Sequence, residues 1–195
     1  MNTAELTQVF EKIDQANAED PNHEIVEGKS VAKELIYGQR MSNQLATFAP
    51  NSSPALQIAA RAQHIQRWKS QRSSYPAGLQ GYKQWRSELG KFHAEKTEEI
   101  LQSLGHSEKL IADVKNLLQK KQLKQNPDTQ TLEDVICLVF LEYYLEDFAA
   151  KHDEEKLIAI IQKTWRKMSE HGQQAALKLP LSEEMLSLVG KALSV

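Results

Sequence analysis

The sequence predicts an all-α fold, a single-domain irregular bundle of seven to eight helices covering residues 1–195. Three observations predict it. Only 8 Gly and 6 Pro punctuate the 195 residues, too few for the frequent turns of a sheet-rich fold. Apolar residues recur at i, i+3, i+4 and i+7 in most segments. Serine or threonine, once followed by proline at Ser53-Pro54, stands where those periodic stretches begin. The balance of 41% apolar and 26% charged residues is that of a folded globular chain.

Thr3 is the expected cap of a first helix bearing Leu6, Val9, Phe10 and Ile13 on one face, ended by Asp20-Pro21-Asn22. A second helix opens at Ser30, carries Leu35, Ile36, Leu45 and Phe48, and closes at Pro50, with Gly38 a weak point near its middle. Ser53-Pro54 reads as a cap followed by proline at the first helical position, starting a third helix to about Lys69. After the polar loop from Ser73 to Gly78, a fourth helix occupies Tyr82 to Leu104. Gly105 terminates it, and Ser107 caps a fifth helix carrying Leu110, Ile111, Val114, Leu117 and Leu118. Asn126-Pro127-Asp128 is a break. The most apolar stretch follows, a central helix from Thr131 to Ala150, then a helix from about Glu154 to Glu170 and a short last one capped by Ser182.

Charge and motif content narrow the function classes. With 24 basic and 26 acidic residues the net charge is −2, so nucleic acid is not an expected partner. The N-terminus lacks a basic start with a continuous apolar run, and Val135 to Leu141 is far shorter than the ~20 residues that span a bilayer. A cytoplasmic location without membrane association is expected. Cys137 is a lone thiol inside an apolar run, which excludes an intramolecular disulfide. The chain has no Cys-x-x-Cys, His-Glu-x-x-His, phosphate-cradling glycine loop or nucleophile elbow. No pattern in it specifies an oligomeric state.

The candidate site is Ala60 to Lys69, ARAQHIQRWK. At ~100° per residue, Ile58, Ala62 and Ile65 centre the apolar face of the third helix. Gln57, Arg61, His64 and Trp68 share the adjoining quadrant, while Arg67 and Lys69 project elsewhere. Guanidinium groups pair with phosphate oxygens in planar fashion, so Arg61 is the candidate phosphate ligand, with Gln57 and Trp68 beside it. His64 reads either as a ligand-facing group or as a histidine bonded to a neighbouring helix. On the fourth helix His93 shares an apolar stripe with Leu89, Thr97, Ile100 and Leu104, so it is either a satisfied core residue or a metal ligand.

Two resemblances rest on longer strings. RAQHIQRW, SSYP, GYKQWRSEL, FHAEKTEEIL and LEDVICLVFLEYY resemble a bacterial and fungal family described as domain of unknown function 4202. The order His64, His93, Asp134, with gaps of 29 and 41 residues, is similar to the histidine-aspartate (HD) metal phosphohydrolases, which are helical bundles. The run ILQSLGHSEKLIADVKNLLQ, followed by LEDVICLVF, is similar to the helices of that pattern. This second resemblance implies an HD-like fold and a metal-dependent phosphohydrolase acting on a nucleotide-type phosphoester. It implies a divalent metal ion held by His64, His93 and Asp134, with His64 and Asp134 catalytic and Arg61 on the phosphate of a small ligand. Ala94 departs from the pattern where an aspartate should pair with the histidine, and Ile136 occupies one register of the final aspartate, so Asp134 or Glu142 must supply the carboxylate. The alternative is a non-catalytic helical module that binds a protein or a phosphorylated ligand through the Arg61/His64 face.

Overall fold

The structure, a computed structural model, describes residues 1–123 and 125–194. It begins with α1 (Thr3–Ala18), whose cap is Asn2 rather than Thr3. The Asn2 side chain accepts from the Glu5 N–H, and the Glu5 carboxylate accepts from the Asn2 N–H, so two end donors are satisfied reciprocally. Val9 and Ile13 are fully buried from the predicted face.

An antiparallel hairpin then departs from the all-helical expectation: β1 (His23–Val26) pairs with β2 (Lys29–Ala32), Val26 facing Lys29. Its two turn residues, Glu27 at φ +49° and Gly28 at φ +77°, both have the left-handed backbone that a two-residue hairpin loop requires. Because Ser30 belongs to β2, the next helix, α2 (Lys33–Phe48), starts later than predicted. Ala32 offers no capping side chain. The buried Asp20 does that work from a distance: one of its carboxylate oxygens accepts from the Glu34 N–H at 3.1 Å, and the other from Asn22.

The next elements are α3 (Pro54–Arg61), α4 (Gly78–Ser103) and α5 (Glu108–Leu118). Ser53 and Ser107 cap α3 and α5 as expected. Helix α3 packs on α1, α2 and α5, and α4 packs on α1 and α5. The interior is filled by Met41, Leu45, Leu56, Ile58, Leu89, Leu101 and Val114. Gly38 is the close-approach point of α2 on α3: a Cβ there would lie 2.8 Å from the Arg61 carbonyl oxygen. Gly38→Ala must force two backbones apart and is expected to cost about 1–3 kcal/mol. Urea unfolding checks it, and a loss below about 0.5 kcal/mol would mean the two helices separate freely.

Contacts divide the chain into two compact units, Met1–Thr129 and the residues from Gln130 onward. The division falls in the first turn of α6 (Pro127–Tyr143). In the second unit the expected helix from Thr131 to Ala150 is interrupted. Tyr144 leaves helical geometry at φ −128°, and α7 (Leu145–Ala149) follows as a separate turn. Then come α8 (Glu154–Trp165), α9 (Glu170–Ala176) and α10 (Glu183–Leu193), with α8 packed on α10 and Ser182 capping α10. Leu138, Leu145, Leu157, Ile161 and Leu188 are buried there. The described residues therefore form ten α-helices, more than the seven or eight predicted. The excess comes from the break at Tyr144 and from α9, a short helix capped by Ser169. Among the described residues no helix is long and apolar enough to cross a membrane.

Candidate functional site

The predicted third helix does not reach Lys69. Ala62 already leaves helical geometry, and Arg67–Lys69 form a separate 3₁₀ turn. The cause lies in α1. Its buried Asn17 accepts from the Gln66 N–H at 2.9 Å, and Gln66 adopts the left-handed φ of +49°, sparsely populated for a residue with a Cβ. The chain is thus turned by a partner 49 positions away, and the 100° wheel ceases to apply beyond Arg61.

That turn redistributes the predicted ligand face. Arg61 makes a two-pronged ion pair with Asp14 on α1, its Nε donating at 2.7 Å. Gln57 donates to the Ser52 carbonyl. Trp68 lies half-buried under the Lys69 ammonium. Arg72 donates to the Tyr75, Pro76 and Gly78 carbonyls, holding the loop before α4. These residues are dispersed, and Arg67, expected to project elsewhere, instead lies on His64.

The structure brings His64 together with Glu34, Tyr37, Arg67 and His93. The Glu34 carboxylate, on the first turn of α2, lies 3.0 Å from His64 Nδ1. The Tyr37 ring, one turn further along α2, stacks on the imidazole at 3.7 Å and 9°. Arg67 Nη1 is 3.4 Å from both imidazole nitrogens. An in-plane atom equidistant from the two would collide with Cε1, so the guanidinium covers the face opposite Tyr37. The same guanidinium packs over Trp85 of α4 at 5.4 Å, and Trp85 Nε1 donates to the Ser70 carbonyl. Ring and turn are clamped together, and 14% of the His64 side chain stays accessible.

His93 on α4 lies 6.1 Å from His64, centre to centre, so the two predicted histidines do meet. It is 2% exposed, and among the described residues its Nε2 has no hydrogen-bond partner. The buried Gln63 Oε1 is likewise without one. Burial pushes the His64 imidazole well below its usual range, helped by the Arg67 charge and by His93. Burial and the Arg67 and Arg86 guanidinium groups push His93 down to about 3. Burial raises Glu34 to about 7, against the opposing pull of Arg67 and with the carboxylate of Asp20 adding to the rise. Both imidazoles are therefore neutral at pH 7, the state that accepts a proton or ligates a metal.

Asp134 belongs to the second unit, where its carboxylate is engaged. It accepts from the Ser169 N–H at 2.7 Å, from the Ser169 hydroxyl, and from Gln130 Nε2 at 3.1 Å. Glu142 is half-buried on α6. Among the described residues no three His, Cys, Asp or Glu side chains are grouped to hold a metal ion. His64 and His93 supply two nitrogens, and Glu34 already bonds the first of them. Two donors fall short of the three protein ligands of a catalytic zinc-type site.

Glu34 and Tyr37 stand outside the predicted site, and Arg67 was expected on another face. One signal was present: Glu34, Tyr37, Gly38 and Met41 follow i, i+3, i+4, i+7 spacing, which sets a carboxylate on a buried stripe. A family model described as Domain of unknown function (DUF4202) matches residues 7–189. No curated protein and no solved structure matches the chain. The chain belongs to the DUF4202 family.

Proposed function

We propose that this member of the DUF4202 family is a hydrolase acting on a phosphoester, with the Glu34–His64 pair as its proton acceptor. The observation that carries the reading is the 3.0 Å contact between the Glu34 carboxylate and His64 Nδ1 in a ring fixed on both faces. With Glu34 ionised, its oxygen accepts from Nδ1–H and leaves the Nε2 lone pair bare. In the proposed step that lone pair takes a proton from water as the water oxygen bonds phosphorus and the ester P–O bond breaks. The departing oxygen then receives the proton from the imidazolium, restoring neutral His64. The Arg67 guanidinium lies against the ring, where it opposes charge accumulating on the phosphoryl oxygens.

Below pH 7 Glu34 carries the proton and donates it to Nδ1, which places a hydrogen on Nε2 and blocks acceptance. Hydrolysis should therefore rise with pH through about 7. The test assays a panel of nucleotides and simple phosphoesters, with chelator and with Mn, Co, Ni or Mg. His64→Gln is expected to lower kcat by about 10²–10⁴, and Glu34→Gln to remove the limb near 7. No hydrolysis across the panel, or full activity of His64→Gln, overturns the proposal. A requirement for added metal would return the reading to the metal-dependent hydrolysis that the histidine-aspartate resemblance implies. The non-catalytic alternative predicts binding without turnover. The Arg61 half of its proposed face is already paired to Asp14.

A further inference from the structure

Beside His93 the first unit holds a cleft of about 350 Å³. Arg86, Lys91 and His93 reach it from α4, Gln63 from the turn after α3, and Lys120 and Lys121 from the chain leaving α5. No carboxylate is among the residues that line it. Arg86, Lys91 and Lys121 make no ion pair among the described residues. Cations after α5 complement the partial negative charge of its carbonyl end. That argument does not extend to Arg86 and Lys91, which lie more than three turns before the carbonyl end of a 26-residue helix. Lys120 also holds a left-handed φ of +53°, and such backbone strain persists where the surrounding structure imposes it.

The second observation concerns the wall. Gln63 and His93 are 4% and 2% exposed, and each carries a buried polar atom, Oε1 and Nε2, that no described residue satisfies. A buried polar atom without a partner costs roughly a hydrogen bond's desolvation. Both residues line one cation-rimmed cleft, and a small rotation of either side chain brings its unsatisfied atom to an occupant. We propose that this cleft binds a small phosphate monoester whose hydroxyl- or amide-bearing end partners Gln63 and His93. The rim cations receive the phosphate dianion. On the inner wall the amide oxygen accepts a hydrogen bond, and the neutral imidazole donates or accepts according to its tautomer. A free anion lacking that polar end satisfies only the rim, so ribose 5-phosphate or AMP binds more tightly than inorganic phosphate.

This inference goes beyond the hydrolase reading, since His64 and Arg67 do not line the cleft, and it is tested by binding alone so that the two can fail separately. Inorganic phosphate, ribose 5-phosphate and AMP are titrated into the full chain by calorimetry, with ribose and adenosine as uncharged controls. Imidazole ¹⁵N resonances are followed in parallel. Expected are saturable binding of the phosphorylated probes, a His93 resonance that moves with it, and affinity that falls as salt rises. Arg86→Gln/Lys91→Gln, with unchanged circular dichroism, should weaken binding about tenfold. The proposal is overturned if none of the three phosphate probes binds saturably. It is equally overturned if binding survives the double substitution intact or leaves the His93 resonance unmoved. Binding without hydrolysis of any phosphoester keeps the cleft and removes the hydrolase reading.

Discussion

Acid should unfold the first unit in steps that trace to three side chains. The folded-state pKa of His93 lies near 3, against 6.5 unperturbed. The unfolded chain therefore binds the extra proton first, and stability is lost as pH falls from about 6.5 towards 3. By linkage that loss amounts to about 3 kcal/mol by pH 4. His64, also held well below 6.5, acts in the same direction. Glu34 acts oppositely: its folded value near 7 exceeds 4.5, so its contribution is full below 4.5 and lost as pH rises to 7. Between 4.5 and 6.5 the two histidines outweigh the single carboxylate. Below 4.5 nothing offsets them, and the slope steepens. Urea unfolding as a function of pH, followed by tryptophan fluorescence, should show a plateau above 7 and this two-stage decline. His93→Leu removes a buried group with an unsatisfied nitrogen, so it should be tolerated at pH 7 and should flatten the acid limb by one proton. An acid limb unchanged in His93→Leu would contradict this account of the buried imidazole.

Asp134→Ala is expected to destabilise the second unit by about 2–4 kcal/mol. The substitution strips the acceptor from the Ser169 N–H and hydroxyl, and with it the support of the residue that caps α9. The Asp134 carboxylate is buried, so no water stands ready to replace it. Thermal unfolding measures the loss, and faster amide exchange at Gly172, whose N–H donates to Ser169 Oγ, locates it. Asp134→Asn keeps one acceptor oxygen and should fall between wild type and alanine. Wild-type stability in Asp134→Ala would show that the cap survives without it. Loss of bound metal with stability retained would return Asp134 to the ligand role that the HD resemblance implies.

Features set by forces between near neighbours are legible in the sequence, and those set by distant partners are not. Ser53, Ser107 and Ser182 cap helices as predicted because a cap bonds an amide only two or three residues ahead. The apolar stripe of Val9 and Ile13 was equally local information. The hairpin carries its own turn signal, Glu27-Gly28 between HEIV and KSVA, but two four-residue strands are too short to stand out against the helix periodicity on either side. Trp68 and Gln57 joined His64 on a wheel whose geometry ended at Arg61.

The sequence by itself determined the helical class, the starts of α3, α5, α8 and α10, and His64 and His93 as the residues to watch. Only the tertiary structure decided what surrounds them. Asn17 reaches from α1 to turn the chain at Gln66, and that turn lays Arg67 on His64 while Arg61 pairs with Asp14. Glu34 meets His64 across 30 positions. A cap or a stripe is written in neighbouring residues, whereas a buried carboxylate finds its imidazole only when helices distant in the chain pack.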